Sequence, residues 1–237
     1  MTRGSRSLRA RPPPGLLRLV SSVKHPNRLV VDLGCGGVWA GLLLRAGFKV
    51  LGVDLSAPML QLARQRAPAA AFHKGSLLRA ALPECRAVTS LGECLSDCFD
   101  GARGNVRLAR LFKRINQVLV PGGVLVFDVV APGRVPGGAA KRLIADGKQG
   151  WAVLVDSREH RARRLLTRDI MTFRQVGRLY RADREVHRQR LFAPDDLLRL
   201  LRRAGSRARI LAAHGRMRLA PGQVGFLAVK PRRSPGS

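Results

Sequence analysis

Aromatic side chains are scarce in this chain: one Tyr, two Trp and eight Phe in 237 residues. So few rings argue against a basic face interleaved with stacking platforms, the surface by which proteins grip single-stranded nucleic acid. Acidic residues are scarce too, 15 against 44 Lys and Arg, which leaves a formal charge of +29. A charge of that size draws polyanions. Here, however, Arg is spread along nearly every segment beside Ala, Leu and Gly, as a compositional bias would place it. The expectation is non-specific, salt-sensitive contact with nucleic acid. No apolar run approaches the ~20 residues of a membrane span, so the chain is expected to be soluble and cytoplasmic. The four cysteines (Cys35, Cys85, Cys94, Cys98) form no paired CxxC spacing. They read as reduced thiols, and no metal site is expected.

Residues 1–27 contain no acid, and their one apolar stretch, Leu16 to Val20, is broken by Arg18. That is not a secretory signal. The segment reads as a flexible basic leader with a short helix from Leu16 to Val23, although its composition also leaves a targeting role open.

What is present is concentrated in RLVVDLGCGGVWAGLLLRAGFKVLGVD, Arg28 to Asp54. An apolar run (Leu29, Val30, Val31) leads into Asp32 and a glycine cluster (Gly34, Gly36, Gly37). A helical segment, Trp39 to Ala46, and a second strand, Lys49 to Val53, end on Asp54. Glycines let backbone N–H groups approach a ligand, and the helix after them offers unpaired donors. Asp54 follows Asp32 by 54 − 32 = 22 residues, at a strand tip where a carboxylate can accept both hydroxyls of a ribose. The stretch therefore reads as a nucleoside-binding βαβ unit. A dinucleotide fingerprint starting at Gly34 needs Gly or Ala at position 39, where Trp39 stands, which argues against NAD or FAD.

Asp32-Leu33-Gly34-Cys35-Gly36 with Gly52-Val53-Asp54 resembles the first two motifs of the class I S-adenosylmethionine-dependent methyltransferases. Val88 to Glu93 resembles that family's fourth strand, and Leu119 to Asp128 the turn and strand that follow. Four motifs in order at suitable intervals carry the resemblance over residues 28–130. It implies an α/β, Rossmann-like fold: a seven-stranded, mostly parallel sheet with an antiparallel end. The implied cofactor is S-adenosyl-L-methionine (SAM). Asp32 would lie near its methionine ammonium, Gly34, Cys35 and Gly36 would form the glycine loop, and Asp54 would hold the ribose. Leu55 and Met59 would contact adenine, and Leu77 and Leu91 are further cofactor-binding candidates. Ser76 stands where the family often has an acid for the adenine amine. Val38 replaces the loop's usual last glycine, and the leader brings no aromatic residue to close over the cofactor.

The remaining segments are read from pattern. Ser56 caps a helix with Pro58 in its first turn, Ala69 to His73 and Arg86 to Leu91 are strands, and Val106 to Val118 carries a helical stripe. Cys94 to Phe99 suits a short helix headed by Glu93. Pro121-Gly122-Gly123 turns the chain into a strand from Val124 to Val130. After a glycine-rich break, Gly133 to Gly138, strands are expected at Trp151 to Val155, Leu165 to Arg174 and Leu179 to Leu191. The last two form an inserted β-hairpin lid, and Glu185, His187 and Gln189 share one of its faces. A helix starting at Pro194 and strands Arg207 to Ala212 and Val224 to Val229 close the fold. The organisation expected is a leader (1–27), a SAM-binding core (28–135), a β lid (139–191), closing elements (193–231) and a tail (232–237).

Methyl transfer from a sulfonium needs aligned reactants, and a base only where the nucleophile arrives protonated. Glu93 and His187 are the candidates for proton removal, Glu185 and Gln189 for acceptor binding. A small-molecule methyl acceptor is the leading expectation. An RNA methyltransferase, favoured by the charge, and a non-catalytic SAM-fold scaffold are the alternatives.

Overall fold

A computed structural model describes residues 14–98, 105–211, 213–214 and 217–232. The leader ahead of position 14, Phe99 of the expected 94–99 helix, Ala212 and the end of the tail lie outside them. Helix α1 (Pro14–Ser21) opens on a proline, whose fixed φ suits a first turn. It buries Leu16 and Val20.

Strands and helices then alternate: β1 (Leu29–Leu33), α2 (Val38–Arg45), β2 (Lys49–Asp54), α3 (Ala57–Arg66), β3 (Ala71–Lys74), β4 (Cys85–Ser90), α4 (Asn105–Val118) and β5 (Leu119–Val130). Four antiparallel strands follow: β6 (Ala139–Asp146), β7 (Trp151–His160), β8 (Leu165–Val176) and β9 (Leu179–Arg190). The chain closes with α5 (Pro194–Arg203), β10 (Arg207–Leu211), the short pair β11 (Ala213–His214) and β12 (Met217–Arg218), and β13 (Gln223–Val229). The main sheet has the order β10-β13-β5-β4-β1-β2-β3. Only β13 runs against its neighbours, as the expected mostly parallel sheet with an antiparallel end requires. Connections leave β1 in one direction and β4 in the other, so the switch point of the sheet, where open α/β sheets bind ligands, lies between them.

Both faces of the sheet are covered, which is why β1 and β4 are buried almost throughout. On one face Leu108, Leu111, Phe112 and Ile115 of α4 pack over Val31, Val88 and Phe127. Burying each of these large side chains contributes about 1.5–3 kcal/mol. Phe127 lies between Phe112 and Phe226, with ring centroids 5.4 and 4.9 Å away. On the other face Leu16, Val20, Ala40 and Leu43 cover Val30, Val50 and Val126.

The insertion departs from its reading as one hairpin. It is a four-stranded meander, because β6 precedes the expected strands and β7 runs on to His160. Strand β6, AAKRLIAD, is an exposed edge strand with no alternation of polar and apolar residues to reveal it. The glycine-rich break ahead of it is held in place. The carboxylate of Glu159 accepts the N–H groups of Gly133 (2.8 Å) and Val135 (2.9 Å), pinning the segment to β7. The base of β9 is stitched to the loop after β4 by Cys98 N–H donating to Arg188 O (2.9 Å) and by an Asp97–Gln189 bridge.

Candidate functional site

The loop leaving β1 sets the floor. Gly34 donates its N–H to Val53 O (2.8 Å) with φ +79°, and Gly37 also has φ +79°. Both positions with left-handed backbone are thus glycine, where no Cβ opposes it. A Cβ on Gly37 would stand 2.5 Å from Ala63 Cα, so this glycine also lets α2 approach α3. Val38 is the first residue of α2, with a side chain 43% exposed. The position where the family commonly has glycine needs none here.

At the carboxyl ends of β1, β2 and β4 lies a cavity of about 630 Å³. Seven of the expected residues line it: Gly34, Asp54, Leu55, Met59, Leu77, Glu185 and His187. Asp54 stands at the tip of β2 and accepts the Ser56 N–H (2.8 Å). Burial raises its carboxyl above the usual range, and the N–H bonds from Ser56 and Leu55 oppose that shift. Ser56 caps α3 by accepting the Met59 N–H (3.3 Å). Leu60 and Ala63 of α3 turn to the core, whereas Met59 is 37% exposed and faces the cavity. Leu55, Met59, Leu77 and Leu78 make an apolar slot suited to a flat base, with Asp54 at one side for a sugar.

Five other expected cofactor residues do not line the cavity. Asp32 is 3% exposed and accepts a hydrogen bond from Thr89 Oγ1 (2.7 Å), whose oxygen in turn accepts from Trp39 Nε1 (3.2 Å). Burial pushes the Asp32 carboxyl up to about 6, against the Thr89 bond and with the help of the nearby Asp54 charge. Cys35 is fully buried, its Sγ close over Gly52, where a Cβ would stand 2.6 Å from it. Gly36 sits close to the end of the Met59 side chain, and its carbonyl accepts from Arg66 Nη1 (2.9 Å). Ser76 is buried and its Oγ accepts the Leu78 N–H (3.1 Å), so it shapes its own turn rather than lining the base slot. Leu91 packs on the opposite apolar layer with Trp39 and Leu44.

The roof comes from β9. His187 Nε2 lies 2.9 Å from Glu185 Oε2. Gln189, expected beside them as an acceptor contact, is buried instead; its Oε1 accepts from Arg168 Nη1 (2.6 Å). Glu93 is displaced from expectation too. It has φ +67°, is 6% exposed, and pairs with Arg134 (3.2 Å) and Arg168 (3.0 Å). The carboxylate of Asp128 holds this conformation by accepting the N–H groups of Gly92 and Glu93. Glu93 therefore lines a neighbouring groove, with its carboxylate oxygens engaged by two guanidiniums, and not the cofactor cavity. Sequence reasoning missed Cys94 and Asp97, which line the cavity from the 3-10 turn Cys94–Ser96 and its end. Burial raises both groups, so Cys94 is held as a neutral thiol. Only their place after a central strand could have marked them.

A family model described as a methyltransferase domain matches residues 30–123. The chain is 30% identical over 115 residues to the malonyl-[acyl-carrier protein] O-methyltransferase of Serratia marcescens, covering 46% of this chain and 41% of that protein. It is 25% identical over 180 residues to YqeM of Bacillus subtilis, a methyltransferase by name, covering 74% and 72%. The chain thus spans about two fifths of the Serratia protein and most of the Bacillus one. Among solved structures, an S-adenosylmethionine-dependent methyltransferase from Clostridium acetobutylicum superposes with a TM-score of 0.77 at 16% identity, over 92% of this chain and 90% of that one. A sugar N-methyltransferase from a Streptoalloteichus species gives 0.73 at 23% identity, over 98% and 99%. At these identities the likeness is one of fold.

Proposed function

From the methyltransferase-domain match over residues 30–123 and the shared fold, we propose that this chain is a class I S-adenosylmethionine-dependent methyltransferase and that it transfers a methyl group to a small-molecule acceptor. The observation that carries this reading is the cavity at the switch point, with Asp54 at one side and the His187–Glu185 pair on its roof. SAM, when bound, supplies a methyl already activated by a positive sulfur. The residues present fit such a molecule. Gly34 leaves the floor open, where a Cβ would meet Cys94, and the apolar slot and the Asp54 carboxylate suit a nucleoside. Asp54 would hold the ribose hydroxyls, Leu55 and Met59 would flank the base, and Asp32 would act from beneath the loop as buried negative charge toward the ammonium.

In this reading His187 would accept a proton from the acceptor, and the imidazolium so formed would be stabilised by Glu185 and by the charge of Asp97. The roof would keep water away from the aligned reactants.

The test is transfer of labelled methyl from SAM into a cell extract fractionated by size. Label in the low-molecular-weight fraction is the expected outcome. Label confined to RNA or protein would refute the small-molecule reading, and no detectable binding of S-adenosylhomocysteine (SAH) by calorimetry would refute the cofactor reading.

A further inference from the structure

Beside the cofactor cavity, under the same inner face of the meander, lies a second groove of about 540 Å³. The two meet at consecutive residues: Cys94 lines the first and Glu93 the second. One row of the meander crosses from groove to cavity, Arg142–Val155–Ile170–Glu185, as the strand register sets it. The groove wall holds three guanidiniums, Arg134, Arg142 and Arg168, against the single carboxylate of Glu93. Two are fixed in place. Arg134 Nη1 donates to Pro221 O (2.9 Å) while its Nη2 meets Glu93, and Arg168 Nη1 is shared by Glu93 and Gln189. Arg142 lies on exposed β6 and has no hydrogen bond or ion pair among the described residues. Glu93 balances one of these charges and leaves the other two facing the groove.

We propose that this groove binds the methyl acceptor through an anionic group, a carboxylate or a phosphate, with Arg142 as the main recruiting charge and Arg134 and Arg168 as a preset fork. Planar guanidiniums match either oxyanion with paired N–H donors. Two held by partners lose little freedom on binding, which favours a specific complex over loose attraction. The apolar Ile144, Val155 and Ile170 between the charges would cover the acceptor's carbon skeleton. The proposal rests on the methyltransferase reading above, since it is the cofactor cavity next door that makes this groove an acceptor site.

The experiment is calorimetric titration of the full chain, loaded with SAH, with two probes: tricarballylate for carboxylates and inorganic pyrophosphate for phosphates. The overall positive charge makes a matched control necessary, so Arg142→Gln is compared with Arg178→Gln at the far turn of the β8–β9 hairpin. The expected result is saturable binding of one probe, weakened at least about tenfold by Arg142→Gln and unchanged by Arg178→Gln. The probe that binds names the acceptor class. Equal weakening by both variants, or no saturable binding of either probe, would overturn the proposal. SAH binding is measured first and separately. Its absence would overturn the methyltransferase reading and the acceptor role with it, whereas normal SAH binding with no effect of Arg142→Gln would overturn the groove proposal alone.

Discussion

A Cβ placed on Gly34 would fall 2.5 Å from Sγ of Cys94, so the loop after β1 and the loop after β4 touch with no room for a methyl group between them. Gly34 also has φ +79°. Gly34→Ala should therefore lower both thermal stability and SAH affinity, through left-handed strain of about 1 kcal/mol and through the displaced thiol. Adding Cys94→Gly should restore part of the loss. Strictly additive effects in this double-mutant cycle would show that the contact is not the cause.

The glycine loop was legible in the sequence because chemistry of that kind has a spacing, and so were the central strands, because burial on both faces writes apolar runs. Other features had no such mark. Nothing in AAKRLIAD announces a strand, since an exposed edge is free of the alternation that burial imposes. Glu93 sits where a functional acid was expected, but its partners Arg134 and Arg168 come from segments 41 and 75 positions away in sequence (134 − 93 and 168 − 93). Such a pairing is a property of the fold and leaves no local pattern. Gln189 shares its strand face with His187, as the period of two requires. It lies nearer the stitched base of β9, where the face is buried.

Asp54→Ala should weaken SAH binding by about 1.5–3 kcal/mol, the range for hydrogen bonds to a charged group. The same change removes the bond to the Ser56 N–H, so a small loss of stability should accompany it. Calorimetry with SAH reads the first effect and thermal unfolding the second. A change in affinity below about twofold would remove Asp54 from the ribose role.

Asp32 gives a pH dependence whose sign can be worked out. Its folded-state value, about 6, lies above the ordinary 3.8 because burial disfavours the charge. Between these values the folded chain holds the proton and the unfolded chain does not, so stability falls as pH rises through this window. The cost at neutral pH is on the order of 3 kcal/mol, at about 1.4 kcal/mol per unit. Asp32→Asn should therefore stabilise the ligand-free protein in urea unfolding at neutral pH and have little effect near pH ~4, at the lower edge of the window. It should also weaken SAM, and in the wild type SAM affinity should decline as pH falls through about 6. A stabilisation equal at both pH values would mean that the ionised carboxylate is not what strains the fold.

The last prediction concerns His187, whose Nε2 is 2.9 Å from Glu185 Oε2 on the roof of the cavity. Strand β9 is tied to the protein at its base, while Leu179 and Tyr180 at its start are 77% and 62% exposed. A roof held in this way can cover the acceptor without carrying the fold. Groups that act only on the reacting acceptor change turnover and leave cofactor affinity alone. His187→Ala should lower turnover at least tenfold, about 1.4 kcal/mol of transition-state stabilisation, with the SAH dissociation constant unchanged. Glu185→Ala should have a smaller effect in the same direction, because it removes only the partner that steadies the imidazolium. Turnover that survives both changes would return the pair to an ordinary surface contact. If SAH affinity and melting temperature fell together instead, the roof would be part of the folded core and the division of labour argued here would be wrong.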